Sequence, residues 1–186
     1  MIYFVRHGVT DWNENVDKSG KKCPRCQGRT DIPLNKNGIA QAEKLRDELK
    51  NIKFDKVICS PLTRAKQTCE IILGSLDGVI FDERVIERSF GEFEGLTRDE
   101  FDFIGFCKKD FKGYKGAESV QDVENRVFSI LDELKQEPNQ TILIVAHGGV
   151  GCAFLSYFDG FPGDDNYSKL IIPNGTPIIK DFNNKI

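Results

Sequence analysis

The chain has 186 residues, 39% hydrophobic and 30% charged, with a net charge of −3. Such a length and balance suit one globular domain with a single sizeable core. The acidic balance excludes a global attraction to nucleic acid or anionic membranes, so any affinity for anions must be local. No apolar run reaches membrane-spanning length and no signal-like segment opens the chain, so a cytoplasmic location is expected.

The first element is Ile2-Tyr3-Phe4-Val5, an apolar run that ends in Arg6-His7-Gly8. A β-branched and aromatic run bounded by glycine reads as a buried strand. Residues 10–36 carry Asn, Asp, Gly, Lys and Pro without a sustained period, and connections of that length usually serve function. Asn35-Lys36-Asn37-Gly38 opens a helix whose stripe is Ile39, Ala42, Leu45 and Leu49. Lys56-Val57-Ile58-Cys59 is a second strand. The helix expected next, over 61–73, has Pro61 just inside its start and Leu62, Ala65, Cys69 and Ile72 on one face. Val79-Ile80-Phe81 is a short third strand, and 89–95 reads as irregular.

Phe101, Phe103, Phe106, Phe111 and Tyr114 mark an aromatic segment, expected to hold a short helix and to lie over the site. Val120, Val123, Val127, Ile130, Leu131 and Leu134 keep ideal helical spacing. A second apolar run, Thr141 to Ala146, then ends in His147-Gly148-Gly149, followed by a helix over about 150–158. Leu170-Ile171-Ile172 and Pro177-Ile178-Ile179, around Asn174-Gly175, read as an added strand or hairpin at a sheet edge. Strands alternating with helices predict an α/β fold, a three-layer α/β/α sandwich with a mostly parallel central sheet. One domain over 1–186 is expected, with a variable cap at about 96–118.

Of six cysteines, Cys59, Cys69, Cys107 and Cys152 are scattered as small buried hydrophobes usually are. Cys23-Pro24-Arg25-Cys26 has the spacing of half a zinc site or a redox pair. No second pair stands nearby, so incidental reduced thiols in a surface loop are the favoured reading, with metal or a disulfide as the alternative.

The chain has only two histidines, and both stand between an apolar run and a glycine. A lone histidine at a strand end is more often structural than catalytic, but two in matched contexts, one beside an arginine, reverse that preference. Ligands of open α/β sheets bind outside the carboxyl ends of the strands, where parallel strands would bring both imidazoles together. The second strand leads to Arg64 in the first turn of its helix, a position where a cation opposes the helix dipole and asks for an anion. Guanidinium forks match phosphate oxygens, so Arg6 and Arg64 predict a phosphoryl guest. His7 is then the candidate nucleophile, forming a phosphohistidine. Arg6, Asn13, Arg64 and His147 would hold the equatorial oxygens, and Glu87 would serve as general acid and then base.

Arg6-His7-Gly8-Val9-Thr10-Asp11-Trp12-Asn13 resembles the signature of the histidine phosphatase superfamily, the phosphoglycerate mutase-like family. Four further blocks follow in order: Gln27 to Leu34, Ser60 to Thr68, Glu87 to Gly95, and Val145 to Gly149. Gly116-Ala117-Glu118-Ser119 with Arg126 is similar to the helix entry after the family's variable insert. The resemblance implies His7 as nucleophile, Glu87 as proton donor, and Arg6, Asn13, Arg64 and His147 as the phosphate pocket. It also brings in Gln27 and Gly28 from the first substrate loop and Gly148 beside His147, and it implies no metal and no cofactor. Val9 departs from the Glu that many relatives carry, and the loop is lengthened by residues 18–26.

Only about twenty residues separate the acid block from Gly116, a short cover that admits water to a phosphohistidine. The expected activity is therefore metal-independent hydrolysis of small phosphate monoesters, in the manner of broad-specificity or alpha-ribazole phosphatases. A cofactor-dependent phosphoglycerate mutase is the alternative. Of another class are a non-catalytic phospholigand binder, against which His7 and Glu87 both stand, and a metal-binding regulatory module on Cys23 and Cys26. The expected partners are a small phosphate monoester and, through the lengthened loop, a second copy in a homodimer, with no nucleic acid and no membrane.

Overall fold

The computed structural model describes residues 1–182. Five strands form one sheet: β1 (Ile2–Arg6), β2 (Lys56–Cys59), β3 (Ile80–Phe81), β4 (Ile142–Ala146) and β5 (Pro177–Lys180). Their spatial order is β3-β2-β4-β1-β5, with only β5 antiparallel. Every residue of β4, the central strand, is buried. That is what an uninterrupted apolar run gives when helices cover both sides of a sheet.

The two sides differ in partners. Ile142, Ile144 and Ala146 of β4 face a core with Ile2, Phe4 and the apolar stripes of α4 (Val120–Leu134) and α5 (Gly148–Asp159). Leu143 and Val145 face the other way, onto Val5, Cys59 and the stripes of α1 (Lys36–Leu49) and α2 (Thr63–Leu73). The result is the three-layer α/β/α sandwich that the alternation of elements predicts. A single turn, α3 (Phe103–Phe106), sits in the expected cap segment. Among the described residues no helix is long and apolar enough to cross a membrane.

Several boundaries depart from the sequence reading. Ile39 is 41% exposed, and Gly38 replaces it on the buried stripe because that turn of α1 packs backbone to backbone against Gly8 and Val9. Pro61 lies outside α2, whose N-cap is Leu62. The helix α5 starts at Gly148, with His147 as N-cap, and so runs directly off the second histidine. Leu170-Ile171-Ile172 is not a strand, since residues Tyr167–Leu170 form a 3₁₀ turn. The edge addition is therefore β5 alone.

Candidate active site

Parallel pairing sets Arg6 opposite Ala146 and Cys59 opposite Val145. The next residues of the three strands, His7, His147 and Ser60, therefore leave the sheet side by side at its carboxyl edge. The His7 N–H still donates to Ala146 O at 3.0 Å, and the Ser60 N–H to Val145 O at 3.0 Å. The two imidazole centroids stand 5.1 Å apart at 60°. Gly8 lets this happen: a Cβ there would overlap the Gly38 carbonyl, so only glycine allows α1 to close against the strand tip.

His7 Nδ1 lies 2.6 Å from the Gly8 carbonyl. A carbonyl only accepts, so Nδ1 carries the proton and a neutral ring keeps its lone pair on Nε2. Burial, then the charges of Arg64 and Arg6, push the His7 pKa well below its usual value against the opposing Gly8 bond. His147 Nε2 lies 2.6 Å from Ser60 Oγ, while its buried Nδ1 has no partner among the described residues. Burial and then Arg64 also hold the His147 pKa well below normal.

Arg64 is fully buried at the start of α2. Its Nη2 donates to Gly28 O at 2.7 Å and its Nη1 to Thr30 O at 2.9 Å, leaving Nε without a partner among the described residues. The carbonyls that hold it are fixed in turn by Glu94, which accepts from Arg29 N at 2.9 Å and Thr30 N at 2.8 Å. Arg6 Nη1 donates to Ile172 O at 2.8 Å, and its Nε is likewise free. Asn13 Oδ1 is taken by Thr10 N at 3.1 Å, which leaves the amide NH₂ for the cavity. Glu87 Oε1 accepts from Arg88 N at 2.8 Å and from Gly149 N at 3.0 Å. A side chain at Gly149 would press on that oxygen, its Cβ only 2.7 Å away.

Arg6, His7, Asn13, Gln27, Gly28, Arg64, Glu87 and Gly148 all line one cavity of about 90 Å³. His147, expected in the phosphate pocket, is not on its wall; it is fully buried, its ring 5.1 Å from that of His7. The cavity also takes in residues the sequence reading passed over, among them Arg88, Arg98, Cys152 and Tyr167. Ser60 was legible as the third residue to follow a parallel strand, in the same position as the two histidines. Nothing local marked Tyr167, which comes from the far end of the chain.

Two expectations need correction. Cys26 is not a surface thiol: it is 6% exposed and lines the cavity, because its N–H and C=O pair with Leu96 O and Gly95 N of the cap. All six cysteines are unpaired. Of the aromatic segment from Phe101 to Tyr114, Phe103 is the one ring on the cavity wall. Phe101, Phe106, Phe111 and Tyr114 pack on one another and on Phe93. Among the described residues, no group of three or more His, Cys, Asp or Glu side chains is placed to hold a metal ion.

The arrangement sets an imidazole, two guanidinium groups and a carboxyl group around one small space. A family model described as "Histidine phosphatase superfamily (branch 1)" matches residues 2–184. "Uncharacterized phosphatase PhoE" of Bacillus subtilis (strain 168) is 35% identical over 91% of this chain and 83% of its own. An alpha-ribazole phosphatase from Shigella flexneri superposes with a TM-score of 0.77 at 25% identity, covering 95% of this chain and 87% of its own. A phosphoglycerate mutase from Thermus thermophilus superposes at 0.71 with 29% identity, over 95% and 90% of the two chains.

Proposed function

Because this chain belongs to the histidine phosphatase superfamily, we propose that it is a phosphatase acting on small phosphate monoesters through a phosphohistidine. The observation that carries the proposal is the His7 ring. It is neutral, its Nδ1 is tied to Gly8 O, and it stands in a cavity flanked by Arg6 and Arg64.

His7 Nε2 attacks phosphorus as the P–O ester bond breaks, and Glu87, as general acid, gives a proton to the departing alkoxide. Arg6, Arg64 and the Asn13 amide stabilise the three equatorial oxygens. His147 does not line the cavity, and its role is to hold the orientation of His7, whose ring centroid stands 5.1 Å from its own. Gln27, Gly28 and Gly148 shape the substrate side of the cavity. Water then attacks the phosphohistidine, Glu87 takes its proton, and inorganic phosphate leaves. Two arginines supply the positive charge that metal ions supply in other phosphoryl transfers, so no metal and no cofactor belong to this reading.

The depressed His7 pKa keeps the ring neutral, and so nucleophilic, in mildly acidic solution, which supports an acid-type phosphatase. Six unpaired cysteines fit a cytoplasmic enzyme, with a small phosphate monoester as its partner and a homodimer as its assembly.

A screen of phosphomonoesters in excess chelator tests the reading. Phosphate release should persist, and His7→Ala should lower it by at least about a thousandfold while orthovanadate still binds. Substantial turnover by His7→Ala would remove the nucleophile from its role. Rapid conversion of 3-phosphoglycerate to 2-phosphoglycerate in the presence of 2,3-bisphosphoglycerate, with little phosphate released, would instead favour the mutase.

A further inference from the structure

Glu94 does not line the cavity and is half-buried, yet its carboxylate collects four hydrogen bonds. Oε1 accepts from Arg29 N at 2.9 Å and from Phe90 N at 3.2 Å. Oε2 accepts from Thr30 N at 2.8 Å and from Thr30 Oγ1 at 2.5 Å. Three of these donors belong to the loop that carries Gly28, and the fourth to the segment that follows Glu87. A carboxylate has acceptor sites for all four, whereas an amide in its place would turn its own donors towards two of them. The loop is shaped to this carboxylate: Gly28 holds φ at +52°, and a Cβ there would overlap Glu94 Oε1.

The same loop holds Arg64. Gly28 O accepts from Arg64 Nη2 at 2.7 Å, and Thr30 O accepts from Nη1 at 2.9 Å. Gly28 O and Arg29 N are the two ends of one planar peptide group. Glu94 therefore takes the N–H of the very peptide unit whose carbonyl meets the guanidinium. A negative charge stands at one end of that unit and a positive charge at the other, an alignment that polarises the peptide and strengthens both bonds. It also fixes the tilt of the peptide, and with it the place of a fully buried arginine whose Nε has no partner among the described residues. Resting on the phosphatase reading, we propose that Glu94 is a positioning residue for phosphoryl transfer, acting through the Gly28–Arg29 peptide to hold the Arg64 guanidinium against the phosphoryl group.

The test is a double-mutant cycle read on p-nitrophenyl phosphate, whose good leaving group needs little help from Glu87, so that the readout falls on the phosphate pocket. Glu94→Ala should lower kcat/KM by about a hundredfold, the loss expected when a group is displaced by about 1 Å. Glu94→Gln keeps one acceptor oxygen and should lose about tenfold. In an Arg64→Lys enzyme the fork is already gone, so either change should cost less than about threefold more. Orthovanadate affinity, measured on the same proteins, should show the same failure of additivity. A residue that merely steadied the loop would cost the same factor in both backgrounds, and that result overturns the positioning role. So does full activity in Glu94→Ala. Should Glu94→Ala not fold, the cycle with Glu94→Gln decides by the same criterion. No hydrolysis by the unaltered enzyme overturns the phosphatase reading and the role with it.

Discussion

Deleting the Ser60 hydroxyl would strip His147 Nε2 of its 2.6 Å partner in a position fully closed to water. A buried polar atom left unpaired costs about 1–3 kcal/mol, so Ser60→Ala should unfold at measurably lower urea concentration. The same hydroxyl fixes the orientation of the ring that backs His7, so kcat should fall by about ten- to a hundredfold with little change in KM. A variant with the stability loss but full kcat would make Ser60 structural only. Arg64 illustrates the same economy of placement. Two carbonyls fix Nη1 and Nη2 and leave Nε unpaired, so Arg64→Lys keeps the charge and loses the fork. Steady-state kinetics should show Arg64→Lys closer to Arg64→Ala than to the unaltered enzyme.

At the scale of elements, the contact between β1 and α1 sets the shape of the strand tip. Gly38 lies in the first turn of α1, where helix propensity alone favours alanine over glycine by about 1 kcal/mol. A Cβ at Gly38 would overlap the Val9 carbonyl, and one at Gly8 would overlap Gly38 O. Backbone cannot yield as a flexible side chain does, so the clash should dominate. Gly38→Ala is expected to destabilise by about 2 kcal/mol or more, in opposition to the propensity scale. Equal or greater stability in chemical denaturation would show that α1 can slide away from the tip. The segment bearing Glu87 is braced similarly: Arg126 of α4 donates to Arg84 O at 2.8 Å and Ile86 O at 2.6 Å.

Across the whole molecule, two histidines are folded into positions that disfavour their charged forms, chiefly through burial. Their folded pKa values lie below the unfolded value near 6.5, so below that pH the unfolded chain binds protons that the folded chain refuses. Stability should therefore fall as pH falls from about 6.5 towards the folded values. Each histidine contributes up to about 1.4 kcal/mol per pH unit in that window. Urea denaturation between pH 5 and pH 7 measures the slope directly. A flat profile would mean that the rings accept protons in the folded state.

The sequence by itself determined the layer architecture, because the apolar periods of its strands and helices leave few ways to bury them. It also determined the residues that meet beyond the strand tips. His7, Arg64 and His147 each stand a fixed step past or into an element whose parallel pairing aligns them, and Glu87 was legible from the acid-bearing block beside the third strand. Where local pattern misled, the cause was long-range packing: Ile39 gave way to Gly38, and Cys26 was drawn inward by Leu96 and Gly95. Only the tertiary structure decided that Arg88 and Tyr167, 79 positions apart in the sequence, share one wall with unpaired donors. Cavity walls are assembled from segments that no periodicity links, so their composition emerges only when the chain has closed on itself.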